Sequence, residues 1–165
     1  MTKVLAGHQA PLFTLPDLGG AAHSLKEALH KGPVVVAFFK ISCPVCQFTF
    51  PFLERLYQTY KGTTVTFWGI SQDDAADTSE FCEEFDITFP ILIDDESSYA
   101  VSNEYALTNV PTFFLIAPDG TVKVSSVGFH KGKLEKIDAE LADATKRLKL
   151  PLFMPGEIVP ASKAG

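Results

Sequence analysis

Six consecutive apolar residues, VVVAFF at 34–39, impose the strongest constraint on what this chain folds into. A strand turns successive side chains to opposite faces, so a run with no polar member must be covered on both sides. The run therefore predicts a central strand sandwiched between two layers. At 165 residues and 46% hydrophobic, the chain supplies the cover for one such domain.

KISCPVCQ follows at 40–47 and holds two of the three cysteines. Beyond it, Phe48, Phe52, Leu53, Leu56 and Tyr60 recur at helical spacing, and Gly62 stops the pattern. Pro44 suits the first helical position, where a missing N–H costs nothing. Cys43 and Cys46 thus sit at a strand-to-helix junction.

Further along, 64–73 (TVTFWGISQD) predicts a second buried strand and 77–87 (DTSEFCEEFDI) a helix. Two β-rich runs within 111–128, separated by Pro118, Asp119 and Gly120, predict a hairpin. A last helix is expected over 131–149. Strands alternating with helices, then a hairpin, predict an α/β sandwich with a mixed sheet. From Pro151 the chain carries three prolines and cannot continue a helix. Leu152, Phe153, Ile158 and Val159 leave two readings of 151–165, a docked extended arm or a mobile segment.

The cysteine pair admits three readings: a redox centre, half of a metal site, or two thiols that pack together. Zinc takes four ligands, and no second CxxC or HxxxH accompanies this one, so Cys82 and His8, His23, His30 and His130 would have to converge on it. A thiol attacks a disulfide as thiolate, and a helix N-terminus offers unpaired N–H groups and about half a positive charge to an anion. Cys43 occupies that end and Cys46 lies one turn on, a geometry suited to a nucleophile and a resolving thiol; Lys40 adds positive potential. The context favours the redox reading, which calls for no cofactor and no metal.

Net charge −6, with 14 scattered Lys and Arg, argues against a nucleic-acid partner. The N-terminal segment shows no charged-then-apolar leader pattern, and no apolar run approaches the ~20 residues that span a bilayer. The expectation is a soluble chain without a membrane partner, cytoplasmic as it stands; prior removal of a leader would leave the same sequence and keep a periplasmic location as the alternative.

With the strand, the CPVC turn, Pro51 in the following helix and the NVPTFFLI segment in place, the chain resembles the thioredoxin-fold redoxins. It is most similar to the TlpA- and ResA-like thiol-disulfide oxidoreductases that border the AhpC/TSA peroxiredoxins. The opening APLFTLPDLGGAAHSLKEAL is similar to the family's entry segment, and the likeness runs from about Gly7 to Leu148. The resemblance implies a thioredoxin-like three-layer sandwich over 1–150 with 151–165 as a Pro-rich tail. It implies a cis Val110–Pro111 bond that turns the Val110 backbone toward an extended substrate. Ser42, Pro44, Val45, Val110, Pro111 and Gly128 are the expected substrate-contacting residues around the catalytic Cys43 and Cys46. The expected partners are a disulfide-containing protein or small thiol substrate and a reductase or thiol electron donor.

Three departures stand out. Ser42 replaces the usual Trp before the first cysteine. The positions of the buried acid hold Ala37 and Thr49, so Cys46 must pass its proton to water, to Lys40 or to a carboxylate distant in sequence. TlpA-like proteins also generally work outside the cytoplasm. The alternative activity is a thiol peroxidase, yet its Pro-x-x-x-Thr-x-x-Cys pattern fits neither cysteine: Cys43 is preceded by Lys40 and Val36, Cys46 by Cys43 and Phe39. The only arginines, Arg55 and Arg147, fall on predicted helices away from the pair. A third reading is a non-catalytic binding domain that kept the fold.

Other residues carry plainer expectations. Cys82 reads as a buried inert thiol, Trp68 as core packing, and His130 as a solvated turn residue. The acidic groups at 73–77 and 94–97 read as loop and helix-start charges.

Overall fold

The computed structural model describes residues 3–165. The all-apolar run forms β3 (Val34–Phe39) at the centre of a five-stranded sheet. Its side chains divide by parity: Val35, Ala37 and Phe39 enter one core, Val34, Val36 and Phe38 the other. This division explains why no polar residue is tolerated in the run.

β3 pairs in parallel with β4 (Thr66–Ser71), which pairs in parallel with β5 (Ile91–Ile93). On its other side it pairs antiparallel with β6 (Thr112–Ile116), which returns as β7 (Val122–Val127). The order β5-β4-β3-β6-β7 makes the sheet mixed. A hairpin loop joins β6 to β7; Gly120 adopts φ +88° and Asp119 Oδ1 accepts the Thr121 N–H at 2.9 Å.

One core is covered by α2 (Pro44–Tyr60), α3 (Ala75–Glu84) and α5 (Lys131–Thr145), the other by α1 (Leu25–Lys31), α4 (Ala100–Glu104) and the N-terminal segment. The protein is therefore a thioredoxin-like three-layer sandwich. A small ribbon of β1 (Thr14–Pro16) and β2 (Ala22–Ser24) leads into α1. The first core is dense in aromatics: Phe39 meets Phe50 at 4.3 Å and Phe81 at 5.2 Å between centroids. Each such pair contributes on the order of 0.5–1.5 kcal/mol beyond buried area, and together they tie the end of β3 to α2 and α3.

Several expectations shift. The helix expected over 77–87 starts earlier because Asp74 caps it, accepting the Asp77 N–H at 2.7 Å, and it ends before Phe85. The last helix stops at Thr145 rather than 149, since Lys146 turns left-handed at φ +55° and the Arg147 N–H returns to Ala142 O at 2.9 Å. No glycine announces that end. Asp94 is a helix-start charge as expected, but a fully buried one: from the loop before α4 it accepts from Val101 N, Ser102 N and Ser102 Oγ at 3.2, 2.8 and 2.7 Å.

Residues 151–165 form a docked arm. Leu152 is buried, Phe153 packs at 5.1 Å from Phe52, and Glu157 forms a bidentate pair with Arg55 at 2.8 and 2.6 Å. Val159 is partly covered, whereas Ile158 is 98% exposed and contributes nothing to docking. Near its end the arm adds β9 (Ser162–Lys163) antiparallel to β8 (Phe129–His130).

Candidate active site

Cys43 is the N-cap of α2, in extended backbone, with Pro44 in the first turn. Its Sγ accepts the Cys46 N–H at 3.2 Å, the interaction a Ser or Asp oxygen makes at an ordinary N-cap. A donor aimed at a sulfur is worth more when the sulfur is anionic. The first turn of α2 contains no acidic residue to compete for the positive end of the helix. Cys43 is half-buried, and its thiol reaches Val110 O at 3.5 Å.

Cys46 is fully buried. Burial, then the neighbouring Cys43 thiol, push its proton affinity well above that of an ordinary thiol, with the Asp73 charge adding to the effect. The two cysteines thus differ in exposure, the outer one reachable and the inner one holding its proton. Neither former acid position helps, since Ala37 is packed in the core and the Thr49 hydroxyl donates to Val45 O at 2.6 Å.

The loop before Cys43 is held at both ends of one residue. Ile41 N–H donates to Asp73 Oδ2 at 2.8 Å, and Ile41 O accepts from Gln47 Nε2 at 2.9 Å. Asp73, distant in sequence, thus reaches the loop that leads into Cys43. The parallel pairing Phe39↔Ser71 places residues two beyond each strand side by side, which is the signal that would have found it. Lys40 turns the other way, its Nζ lying 5.8 Å from the Tyr99 ring centroid.

The Val110–Pro111 bond is cis. Val110 is half-buried beside the sulfur, Ser42 and Pro44 are exposed around it, and Val45 is partly covered. Gly128 adjoins Pro111, whose carbonyl accepts its N–H at 2.7 Å, but it is buried beneath the arm, where a Cβ would collide with Lys163 O. Gly128 thus lies beside the proline turn and is covered by the arm. His130 is half-buried and strand-paired with Ser162 rather than solvated in a turn. Trp68 packs in the core against Phe13. Cys82 is only half-buried, with its thiol pushed up to about 11 by burial and then by Glu54.

Both arginines are engaged away from the pair. Arg55 binds Glu157, and Arg147 Nη1 donates to Thr59 O at 2.8 Å. Neither arginine thus supplies, beside Cys43, the cation that a peroxidase site requires. Among the described residues, no group of three or more His, Cys, Asp and Glu side chains is placed to hold a metal, and no helix is long and apolar enough to cross a membrane.

A thioredoxin-like fold with a CxxC pair whose first cysteine caps the helix after its central strand, and a cis-proline turn against the outer sulfur, defines the class of thiol-disulfide oxidoreductases. The chain belongs to the AhpC/TSA family, whose model matches residues 6–125. It is 36% identical over 123 residues to "Thiol-disulfide oxidoreductase ResA" of Geobacillus kaustophilus, covering 74% of this chain and 69% of that protein. The ResA of Bacillus cereus is 30% identical over 141 residues, covering 82% and 80%. The crystal structure of a putative thiol:disulfide interchange protein DsbE from Chlorobium tepidum shares the fold with a TM-score of 0.74 at 24% identity, covering 87% of this chain and 99% of that one. The protein is an enzyme of the thiol-disulfide oxidoreductase class, and the peroxidase alternative is not favoured.

Proposed function

We propose that Cys43 is the nucleophile and Cys46 the resolving thiol of a dithiol/disulfide cycle acting on protein disulfides or small disulfides. The observation that carries this reading is the contact set of one sulfur: Cys43 Sγ accepts the first-turn amide of Cys46 and abuts the Val110 carbonyl. As thiolate, Cys43 attacks one sulfur of R–S–S–R′. That S–S bond breaks, R′S⁻ leaves and takes up a proton, and a Cys43–S–S–R mixed disulfide forms. Cys46 then gives its proton to solvent and attacks the Cys43 sulfur, expelling RS⁻, which is protonated in turn. Two electrons pass to the substrate, two thiols leave, and Cys43–Cys46 becomes a disulfide that a reductase or thiol donor reduces. With the opposite poise the same steps run backward.

Ser42, Pro44 and Val45 form the rim around the sulfur in this reading, and the Val110–Pro111 turn with Gly128 forms the edge that receives an extended substrate segment. Asp73 stands nearest the role of the missing acid, through its hold on Ile41 and its charge near Cys46. The ResA relatives, together with the extracytoplasmic work general to TlpA-like proteins, favour the periplasmic alternative over the cytoplasmic expectation; fractionation of the source cell with a tagged chain decides between them.

The test is trapping. Cys46→Ser incubated with a disulfide substrate accumulates a mixed disulfide at Cys43, read by mass; trapping at position 82 or none at all rejects the assignment. The reduction potential then sets direction: a value near about −270 mV marks a reductant and one near about −120 mV a disulfide donor.

A further inference from the structure

We propose that the segment Ala161–Gly165 is an intramolecular occupant of the substrate-docking edge and makes access to Cys43 selective by size. The proposal rests on the reading of the Val110 turn as that edge.

The contacts are those an extended peptide would make there. Gly165 lies against Val110 so closely that a Cβ on it would collide with Val110 O, the carbonyl that also meets the Cys43 thiol. Asn109 Nδ2 donates to Gly165 O at 3.2 Å. Upstream, β9 runs antiparallel to β8 in the register Phe129↔Lys163 and His130↔Ser162, and Lys131 N–H donates to Ala161 O at 2.9 Å. Lys163 Nζ sits 4.7 Å from the ring centroid of Phe48, two residues beyond Cys46. The segment is held by main-chain pairing and small residues, as a substrate strand would be.

Its hold is uneven along the arm. The root is anchored by Leu152, Phe153 and the Arg55–Glu157 pair. All five residues of the tip are exposed, and a cavity of about 240 Å³ lies beneath it, lined by Asn109, Val127, His130 and the tip itself. The tip is therefore the part that yields, with the root keeping it close at hand. A protein disulfide needs the Val110 edge and must displace the tip, so its apparent affinity is scaled by the fraction of molecules with the tip released. A small disulfide meets the half-exposed Cys43 sulfur without using that edge.

Two variants dislodge the tip by independent means, and neither residue takes part in the exchange. In Gly165→Val the added side chain has no room against Val110; in Lys163→Pro the strand loses an amide donor and the cation over Phe48. Reduction of insulin and of glutathione disulfide, each with dithiothreitol as electron donor, is compared across wild type and both variants. We expect kcat/KM for insulin to rise roughly five- to tenfold in each variant, through KM with kcat unchanged, and kcat/KM for glutathione disulfide to stay within about twofold. If the insulin-to-glutathione ratio is unchanged while both reactions require Cys43, the tip does not gate the edge and this proposal falls, leaving the dithiol mechanism intact. If neither reaction depends on Cys43, the mechanism falls and takes the proposal with it.

Discussion

Two parallel neighbours, β3 and β4, each run into a helix, and the two junctions solve the same local problem with different atoms. After β4, Asp74 caps α3 in extended backbone, and its carboxylate accepts the Asp77 N–H at 2.7 Å. After β3, Cys43 caps α2 in the same manner, its sulfur accepting the Cys46 N–H at 3.2 Å. α3 carries a further acid, Asp77, in its first turn, and α2 carries none. At the first junction the helix end is saturated with fixed negative charge and serves stability alone. At the second its donors are left to one reactive sulfur. An N-cap is thus a general place to hold an electron-rich atom, and the choice of atom decides whether the place is structural or chemical.

Exchanging the caps is the sharpest way to break this comparison. Cys43→Ser keeps a good capping oxygen, so stability should change by less than about 1 kcal/mol in denaturant unfolding, while disulfide exchange is lost altogether. Retained exchange in that variant would show that the sulfur at the cap is not the reacting one.

A second effect concerns the inner thiol. Because burial raises the proton affinity of Cys46 above the ordinary value, the reactive anion is scarce at neutral pH and its fraction grows with pH. Release of the mixed disulfide should therefore accelerate about tenfold per pH unit over roughly pH 6 to 8, as followed by quench and mass analysis. A flat profile would mean that another group, Asp73 first among them, takes the proton within the site.

At the structural junction the expected change is smaller and of the opposite kind. Asp74→Ala should lower stability by about 1 kcal/mol and leave exchange kinetics untouched. The least of the effects falls on the arm. Arg55 holds the Glu157 carboxyl down at about 2 against an ordinary 4.5. A carboxyl whose proton affinity falls on folding contributes above its ordinary value and loses that contribution as pH drops through the folded one. Limited proteolysis at 151–165 should therefore quicken as pH falls from about 4.5 toward 2. Protection that persists through that range would assign the anchoring to Leu152 and Phe153 alone.

Much of the sandwich was legible because its signals are local and strong. The apolar parity of 34–39, the helical spacing of Phe52, Leu53, Leu56 and Tyr60, and the Pro-Asp-Gly turn each name their element without help from the rest of the chain. Elements β5 and α4 went unread: the first has only three residues, and the second depends on Asp94, whose capping contacts lie seven and eight positions away. The C-terminus of α5 was misplaced for a related reason, since Lys146 adopts the left-handed turn that a glycine ordinarily signals.

The same distinction runs through the site. By itself the sequence determined the central strand, the junction at which it ends, the two sulfurs one helical turn apart, and the proline turn expected beside them. The first three follow from backbone sterics and side-chain periodicity, which act over a few residues, and the proline turn from the resemblance of NVPTFFLI to the redoxin pattern. Only the tertiary structure decided that Asp73 grips Ile41, that Val110 rather than Lys40 meets the Cys43 sulfur, and that Gly128 lies under the arm. It also resolved the alternatives for 151–165, because Leu152 and Phe153 find their apolar partners, and Ser162 and Lys163 their strand, among residues distant in sequence. Such contacts are set by the register of strands and the packing of layers, and no short stretch of sequence encodes them.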